Sequence, residues 1–187
     1  HYDIPVSDKK LNLRVTPPAF SQVNLGTTSE MLNYINNEVF NDLGKNTVLL
    51  DVFGGIGLFS AGFKGHFNKI YLLEMNKTAV EDAKVNLARI ENFRYLLGKA
   101  EKTIKLVKEK YSDIYIISDP PRAGLAPDFI RSILALKPEI FIYISCKPST
   151  FFRDAAMIKN ELPLLSIQPF DMFPKTYHIE ILGIFRS

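Results

Sequence analysis

Cysteine is nearly missing from this chain: Cys146 is the one cysteine among 187 residues. No disulfide can form within the chain, which excludes the disulfide-rich scaffolds of small secreted proteins. A metal or iron–sulfur centre held by several thiolates of this chain is excluded for the same reason. A lone free thiol fits a reducing compartment, so we expect a cytoplasmic protein.

Long apolar runs and a strong charge of one sign are also missing. No run approaches the roughly 18–20 apolar residues of a membrane helix, and no basic stretch followed by an apolar one marks a signal peptide. We therefore expect no membrane partner. The net charge of +3 permits binding to RNA but does not indicate it.

Apolar runs of strand length alternate with amphipathic stretches along most of the chain. Several early runs are continuously apolar, which is typical of parallel strands covered on both faces. Because no helical pattern separates the last two runs, they should pair antiparallel. The pattern predicts a doubly wound α/β fold with a seven-stranded, mostly parallel sheet and an antiparallel last strand. The predicted strands are Asn46–Val52, Lys69–Leu73, Phe93–Leu97, Ile114–Ser118, Glu139–Ser145, Leu164–Pro169 and His178–Phe185. The predicted helices lie near Gly57–Gly65, Lys77–Ile90, Ala100–Lys110, Pro127–Ala135 and Ser149–Asn160.

The N-terminal part carries one further helical pattern, Thr28–Phe40, with Thr27 or Thr28 as the expected N-cap. We divide the chain into an N-terminal segment with this helix, residues 1–44, and an α/β domain, residues 45–187. Gln22 and Asn24 lie just before the helix. Their side chains could reach a cofactor or cap the helix, and spacing alone favours capping.

A glycine-rich turn follows the first predicted core strand within Leu50–Ser60. Glycines such as Gly55 let the backbone approach a ligand, and a helix N-terminus offers free N–H groups. Ser60 stands where a dinucleotide fingerprint needs its third glycine. Glu74 ends the second strand, where an acid can accept hydrogen bonds from a ribose. The pair indicates a nucleoside cofactor, and S-adenosylmethionine fits better than NAD; a plain turn and a solvated acid are the alternatives.

The fourth core strand is followed by Asp119-Pro120-Pro121-Arg122-Ala123-Gly124-Leu125. Ligands bind at the carboxyl ends of strands in open α/β sheets, so this position is a favourable one. The prolines stiffen the backbone that carries Asp119 and Arg122. The alternative is a proline-rich turn with an N-capping acid.

Cys146 lies between the end of the fifth core strand and the start of a helix. The helix dipole and Lys147 are both expected to favour its thiolate, the nucleophilic form. The alternative is a small buried residue without chemistry, which is the common role of a lone cysteine.

Glu180 interrupts the last apolar strand, so a raised pKa suited to proton transfer is expected for it. The alternative is an outward-facing strand residue. His178 lies two residues away on the same strand face, and we interpret it as a structural or supporting residue rather than as the base itself.

Three motifs in order resemble the RNA uracil-5 methyltransferases that modify 23S rRNA and tRNA. They are DPPRAGL at Asp119–Leu125, SCKPSTFFRD at Ser145–Asp154 and FPKTYHIE at Phe173–Glu180, and the likeness runs from about Phe20 to the C-terminus. The resemblance implies a Rossmann-like class I methyltransferase that uses S-adenosyl-L-methionine. It also implies methylation of carbon 5 of a uridine in RNA, with 23S rRNA favoured and tRNA second.

By the same resemblance Cys146 is the nucleophile and Glu180 the base. The positions implied to contact the cofactor are Gln22, Phe53, Leu58, Glu74 and Asp119, to which the turn adds Gly55. The target base must be unstacked to be reached, so we assign substrate contacts to Arg122, Phe173 and His178. The chain departs from the family at Lys99, often Asp or Asn, and at Lys147, usually Asn.

Two other functions stay open at this point. One is a methyltransferase of a small molecule or protein in which Cys146 is structural. The other is a non-catalytic module that binds RNA or the cofactor.

Overall fold

The structure is a computed structural model that describes residues 1–6, 9–17, 19, 24–40, 43, 46–88, 90–107, 113–176 and 179–187. Its strands are β1 (Tyr2–Val6), β2 (Lys9–Leu13), β3 (Thr47–Val52), β4 (Lys69–Glu74), β5 (Phe93–Leu97), β6 (Asp113–Ser118), β7 (Ile140–Ser145), β8 (Leu164–Phe170) and β9 (Glu180–Arg186). Its helices are α1 (Leu25–Val39), α2 (Leu58–Phe63), α3 (Lys77–Asn86), α4 (Ala100–Thr103), α5 (Pro127–Leu134) and α6 (Pro148–Ile158), and a 3-10 turn, Ile104–Leu106, follows α4. In these ranges no helix is long and apolar enough to cross a membrane.

Seven strands form one sheet in the order β5-β4-β3-β6-β7-β9-β8. The first five strands of the sheet pair in parallel, whereas β9 pairs antiparallel with both β7 and β8. The predicted doubly wound fold with an antiparallel last strand is therefore confirmed. The strand order reverses between β3 and β6, and such a switch point opens a crevice where open α/β sheets bind ligands.

Both faces of the central strands are buried, as their continuous apolar pattern predicted. Every residue of β3 and β7 is buried. One core cluster lies between the sheet and α1, α2 and α3, and a second lies between the sheet and α4, α5 and α6. Successive strand residues alternate between the two clusters, as Leu49 and Leu50 do on β3.

A β-hairpin at the N-terminus was missed by the sequence analysis. Strands β1 and β2 pair antiparallel from Tyr2 opposite Leu13 to Val6 opposite Lys9. Ile4 and Leu13 are buried in the cluster that contains α1. The alternation of apolar residues within Tyr2–Val6 and Lys9–Leu13 was the available signal.

The capping prediction for α1 needs correction. The helix begins at Leu25 rather than at Thr28, and its N-cap is Asn24, whose side chain accepts the N–H of Thr27 at 3.2 Å. Capping, the favoured role of Asn24, is thus confirmed. The other helices end earlier than predicted, most clearly α3, which ends at Asn86, and α4, which gives way to the 3-10 turn after Thr103.

Asp82 on α3 holds the segment that follows the hairpin. Its side chain is fully buried, forms an ion pair with Arg14 at 2.8 Å, and accepts the N–H and the hydroxyl of Thr16 at 2.6 and 2.8 Å. Nearby, the Asn86 amide donates to the carbonyl oxygens of Arg14 and of Ile56, within the glycine-rich turn. The N-terminal segment is therefore attached to the same helix that supports this turn.

We predict that Asp82→Ala lowers the free energy of unfolding by about 2–4 kcal/mol, because it leaves buried donors and a guanidinium without their acceptor. Urea denaturation measures the change. Glu81→Ala is the matched control, since Glu81 is the preceding residue of α3 and its exposed carboxylate pairs only with Lys84 among the described residues. Equal losses in the two variants would contradict the prediction.

Candidate active site

The strand ends at the switch point surround one open cleft of about 430 Å³. Its lining combines the glycine-rich turn, the end of β4, the loop after β6, the end of β7 and the start of β9. The lining residues are Phe53, Gly55, Glu74, Met75, Asn76, Ala79, Asp119, Pro120, Pro121, Arg122, Cys146 and Glu180. Seven of the sequence-predicted site residues, Phe53, Gly55, Glu74, Asp119, Arg122, Cys146 and Glu180, are thus brought together.

The glycine-rich turn presents its backbone to the cleft. Phe53 has a φ of 58° and Gly55 a φ of 54°, so both lie in the left-handed region, which is strained for a phenylalanine. A Cβ at Gly55 would meet nothing within 4 Å, so the space beside this residue is open. Leu58, the first residue of α2, is buried and lines a small adjoining apolar cavity of about 60 Å³ together with Phe53 and Gly55.

Glu74 is fixed by backbone donors on two sides. One carboxylate oxygen accepts the N–H of Gly55 at 3.0 Å, and the other accepts those of Met75 and Asn76, each at 2.7 Å. These bonds connect the end of β4 to the glycine-rich turn. They hold the carboxylate on the wall of the cleft and of a neighbouring pocket that Lys99 also lines.

Asp51 is a buried acid beneath the turn to which the sequence analysis gave no role. Its Oδ2 accepts the N–H and the hydroxyl of Ser60 at 2.9 and 2.6 Å, whereas its Oδ1 has no hydrogen-bond partner among the described residues. Burial raises the pKa of this carboxyl to about 7, and the charges of Asp119 and Glu74 add to the rise. The available signal was an acid inside an otherwise apolar strand.

Asp119 and Arg122 lie on the loop Asp119–Leu125, here called the proline loop. The N–H of Asp119 donates to the carbonyl oxygen of Val52 at 3.3 Å, which continues the pairing of β6 with β3. Arg122 is exposed at the mouth of the cleft. The loop therefore places an acid near the glycine-rich turn and a cation on the side of Cys146.

Cys146 and Glu180 lie opposite each other across β7 and β9. The register of this antiparallel pair sets Ser145 opposite Ile181, so the next positions along the two strands are Cys146 and Glu180. Opposite residues of such a pair have Cα atoms about 4.5–5.5 Å apart and point to the same face. The thiol and the carboxyl therefore share one end of the sheet, on the face covered by α1.

Glu180 is 5% exposed, and its Oε2 has no hydrogen-bond partner within the described part of the chain. Burial raises the pKa of its carboxyl to about 7, as the sequence analysis predicted in direction. A carboxyl of this kind can accept a proton near neutral pH.

The expectation of a readily formed Cys146 thiolate needs correction. Burial raises the pKa of the Cys146 thiol above its ordinary value, and the neighbouring carboxylates of Glu180 and Asp119 raise it further. Arg122 is the cation that opposes them, not Lys147. The adjacent lysine is visible in the sequence, whereas the convergence of Glu180 and Asp119 from other elements is not.

Of the three remaining predicted site residues, only Phe173 is among the described residues, and it lies outside the cleft. Phe173 is partly buried and packs against the core cluster on the α1 face, and it does not line the cleft. Gln22 and His178 lie outside the described residues. Among the residues that are described, no group of three His, Cys, Asp or Glu side chains could hold a metal ion.

Comparison with known proteins gives a family match that extends over the whole chain. The sequence model of the tRNA (uracil-5-)-methyltransferase family matches residues 1–187. An uncharacterised RNA methyltransferase of Lactococcus lactis is 36% identical over 178 residues, which are 93% of this chain and 38% of that protein. One of Thermotoga maritima is 36% identical over 170 residues, 89% of this chain and 38% of its own length. The chain thus spans less than two fifths of these curated relatives.

Among solved structures, the tRNA (uracil-54, C5)-methyltransferase of Pyrococcus abyssi in complex with S-adenosyl-L-homocysteine superimposes with a TM-score of 0.79. It is 23% identical, and the match covers 98% of this chain and 44% of that one. At this identity the likeness supports the fold alone.

We predict that Glu180→Gln is more stable than the parent chain above neutral pH. The folded-state pKa of about 7 lies above the ordinary 4.5, so the stability that the protonated carboxyl contributes below pH 4.5 is lost as the pH rises through 7. Near pH 8 the gain should be about 2–3 kcal/mol, shrinking towards zero at acid pH. Urea unfolding at several pH values measures it, with Glu38→Gln as the exposed control. A gain that does not vary with pH would contradict the prediction.

Proposed function

This chain belongs to the tRNA (uracil-5-)-methyltransferase family, and from that premise we propose that it methylates carbon 5 of a uridine in RNA. The methyl donor proposed is S-adenosyl-L-methionine, and the nucleophile is Cys146. The observation that carries the proposal is the register of β7 and β9, which brings the thiol of Cys146 and the carboxyl of Glu180 into one cleft.

The cleft offers what a nucleoside cofactor needs. Gly55 leaves open space beside the glycine-rich turn, and Glu74 presents a carboxylate fixed at the end of β4. We propose that these two residues hold the cofactor together with Phe53, Leu58 and Asp119. When bound, S-adenosyl-L-methionine supplies a methyl group on a sulfonium, an electrophile that carbon 5 of an activated uracil can attack.

Carbon 5 of uridine is a weak nucleophile until a thiolate adds to carbon 6. In the proposed reaction the Cys146 sulfur forms a bond to carbon 6, and the electron pair of the ring double bond moves into an enolate. Carbon 5 then gains the methyl group. Glu180 removes the remaining proton from carbon 5, the double bond reforms, and the Cys146 sulfur leaves.

The pKa directions fit this order of events. Glu180 has a pKa of about 7, so it is available as a carboxylate base near neutral pH. Cys146 has a raised pKa, so its thiolate needs a nearby cation, and Arg122 lies in the same cleft. The exposed position of Arg122 also suits contact with RNA phosphate.

The uridine must leave its stack to reach a thiol at the base of this cleft, since Cys146 and Glu180 lie at the strand ends. The resemblance in sequence favoured 23S rRNA as the substrate, whereas the description of the matched family names tRNA. We propose RNA as the substrate class. Mapping 5-methyluridine in rRNA and tRNA of cells with and without the gene identifies the molecule and tests the activity; no change in either would reject the proposal.

We predict that Cys146→Ala lowers methyl transfer to RNA by about 10³-fold or more, because addition to carbon 6 has no other nucleophile. Binding of S-adenosylmethionine, measured by calorimetry, should stay within about twofold, since no sulfur contact to the cofactor is proposed. Appreciable turnover in the variant would remove the covalent mechanism while leaving a methyltransferase.

We predict that Glu180→Gln accumulates a covalent protein–RNA adduct, because methylation proceeds but the proton on carbon 5 stays. A band of lower mobility on a denaturing gel measures it, and turnover should fall by about 10²–10⁴-fold. The matched control is the double variant with Cys146→Ala, which should give no band. Full turnover without an adduct would reject Glu180 as the base.

A further inference from the structure

Helix α6 begins two residues after Cys146 and binds the backbone of the proline loop. The hydroxyl of Thr150 donates to the carbonyl oxygen of Arg122 at 3.2 Å, and the carboxylate of Asp154 accepts the N–H of Leu125 at 2.9 Å. Thr150 and Asp154 are four residues apart, so they lie on one face of α6. The loop is therefore attached to the helix on both sides of its bend.

Asp154 is the centre of this contact. Its side chain is fully buried, and it accepts the hydroxyl of Tyr143 on β7 at 2.7 Å and pairs with Arg153 at 2.7 Å. Arg153 in turn donates to the carbonyl oxygen of Ala123 at 2.9 Å. One carboxylate thus connects the strand that ends at the nucleophile, the helix that follows it, and the loop.

Gly124 lets the loop approach the helix this closely. Its φ is 75°, and a Cβ built there would overlap the Thr150 methyl group and an oxygen of Asp154. A larger residue at this position would separate the loop from α6.

Arg122 stands on the backbone that α6 holds, and three charged groups act on Cys146. Glu180 comes from β9, and Asp119 and Arg122 come from the proline loop, while Glu74 lines the same cleft at the end of β4. The carboxylates of Glu180 and Asp119 disfavour a thiolate when they are ionised, whereas the guanidinium favours it. The position of the Arg122 guanidinium relative to the Cys146 sulfur therefore influences the fraction of Cys146 that is thiolate.

We propose that Asp154 is a positioning residue that, by fixing the proline loop on α6, keeps the Arg122 guanidinium beside Cys146 and so favours the thiolate. The inference deepens the proposed function in that it treats Cys146 as the nucleophile, but it concerns the state of the thiol before RNA or cofactor binds.

Direct electrostatics and the proposed positioning have opposite signs for Asp154→Asn. Removing a negative charge near a thiol lowers the thiol pKa, whereas displacing Arg122 raises it. A higher pKa of the Cys146 thiol in Asp154→Asn therefore cannot come directly from the lost negative charge or from the added amide. It would indicate that Arg122 has been displaced.

Alkylation by iodoacetamide between pH 6 and 10, followed by mass spectrometry, measures the thiol pKa in the free chain. Because Cys146 is the one cysteine, every adduct that fragmentation assigns to a cysteine reports on it. We expect Asp154→Asn to raise the pKa by about 0.5–1 unit, so that alkylation near pH 7.5 slows about threefold to tenfold. The control Asp128→Asn, an exposed carboxylate on α5, should leave the rate unchanged.

Thr150→Val keeps the shape of the side chain and removes its hydrogen bond to the Arg122 carbonyl oxygen, so it tests the inference if Asp154→Asn does not fold. We expect it to raise the pKa of the Cys146 thiol as well. Arg122→Gln should raise the pKa by itself, and adding Asp154→Asn to it should cause no further rise.

An unchanged or lowered pKa in folded Asp154→Asn, or in Thr150→Val, would overturn the inference. A further rise in the double variant would overturn it too, since the effect would not pass through Arg122. These results are independent of methyl transfer, so failure of the proposed function would appear in the Cys146→Ala assay and not here.

Discussion

The antiparallel pairing of β7 with β9 is the constraint from which the candidate site follows. A parallel sheet places all its carboxyl ends together, but β9 runs the other way and contributes its first residue instead. Glu180 therefore meets Cys146, which follows the last residue of β7. A register shift of one residue would turn one of the two side chains to the opposite face of the sheet and separate them.

This arrangement has an energetic cost that the rest of the fold must offset. Asp51 and Glu180 are both buried, and each has a carboxylate oxygen without a hydrogen-bond partner among the described residues. Burial shifts the pKa of each group towards neutrality, so both exist near neutral pH in a mixture of charged and uncharged forms. The two apolar clusters on either side of the sheet supply the stability that makes such groups tolerable.

Hydrogen bonds between elements give the cleft its shape. Glu74 connects β4 to the glycine-rich turn, Asn86 connects α3 to the same turn and to the N-terminal segment, and Asp154 connects α6 to the proline loop. Each bond joins a side chain to the backbone of a loop. The glycine-rich turn and the proline loop, from distant parts of the chain, thereby become fixed walls of one cleft, which is the preorganisation that a binding site needs.

The sequence by itself determined the strand–helix alternation, because continuous apolar runs such as β3 and β7 can be buried only between two layers of helices. It also indicated most of the cleft, because polar residues such as Glu74, Asp119 and Cys146 directly follow or end parallel strands. It missed the hairpin β1–β2, whose short alternating strands give a weak local signal. It could not show that Phe173, predicted to contact the substrate, packs against the core cluster on the α1 face and does not line the cleft. Only the tertiary structure decided which charges surround Cys146, since Glu180 and Arg122 are distant in sequence and their effects depend on separation in space rather than along the chain.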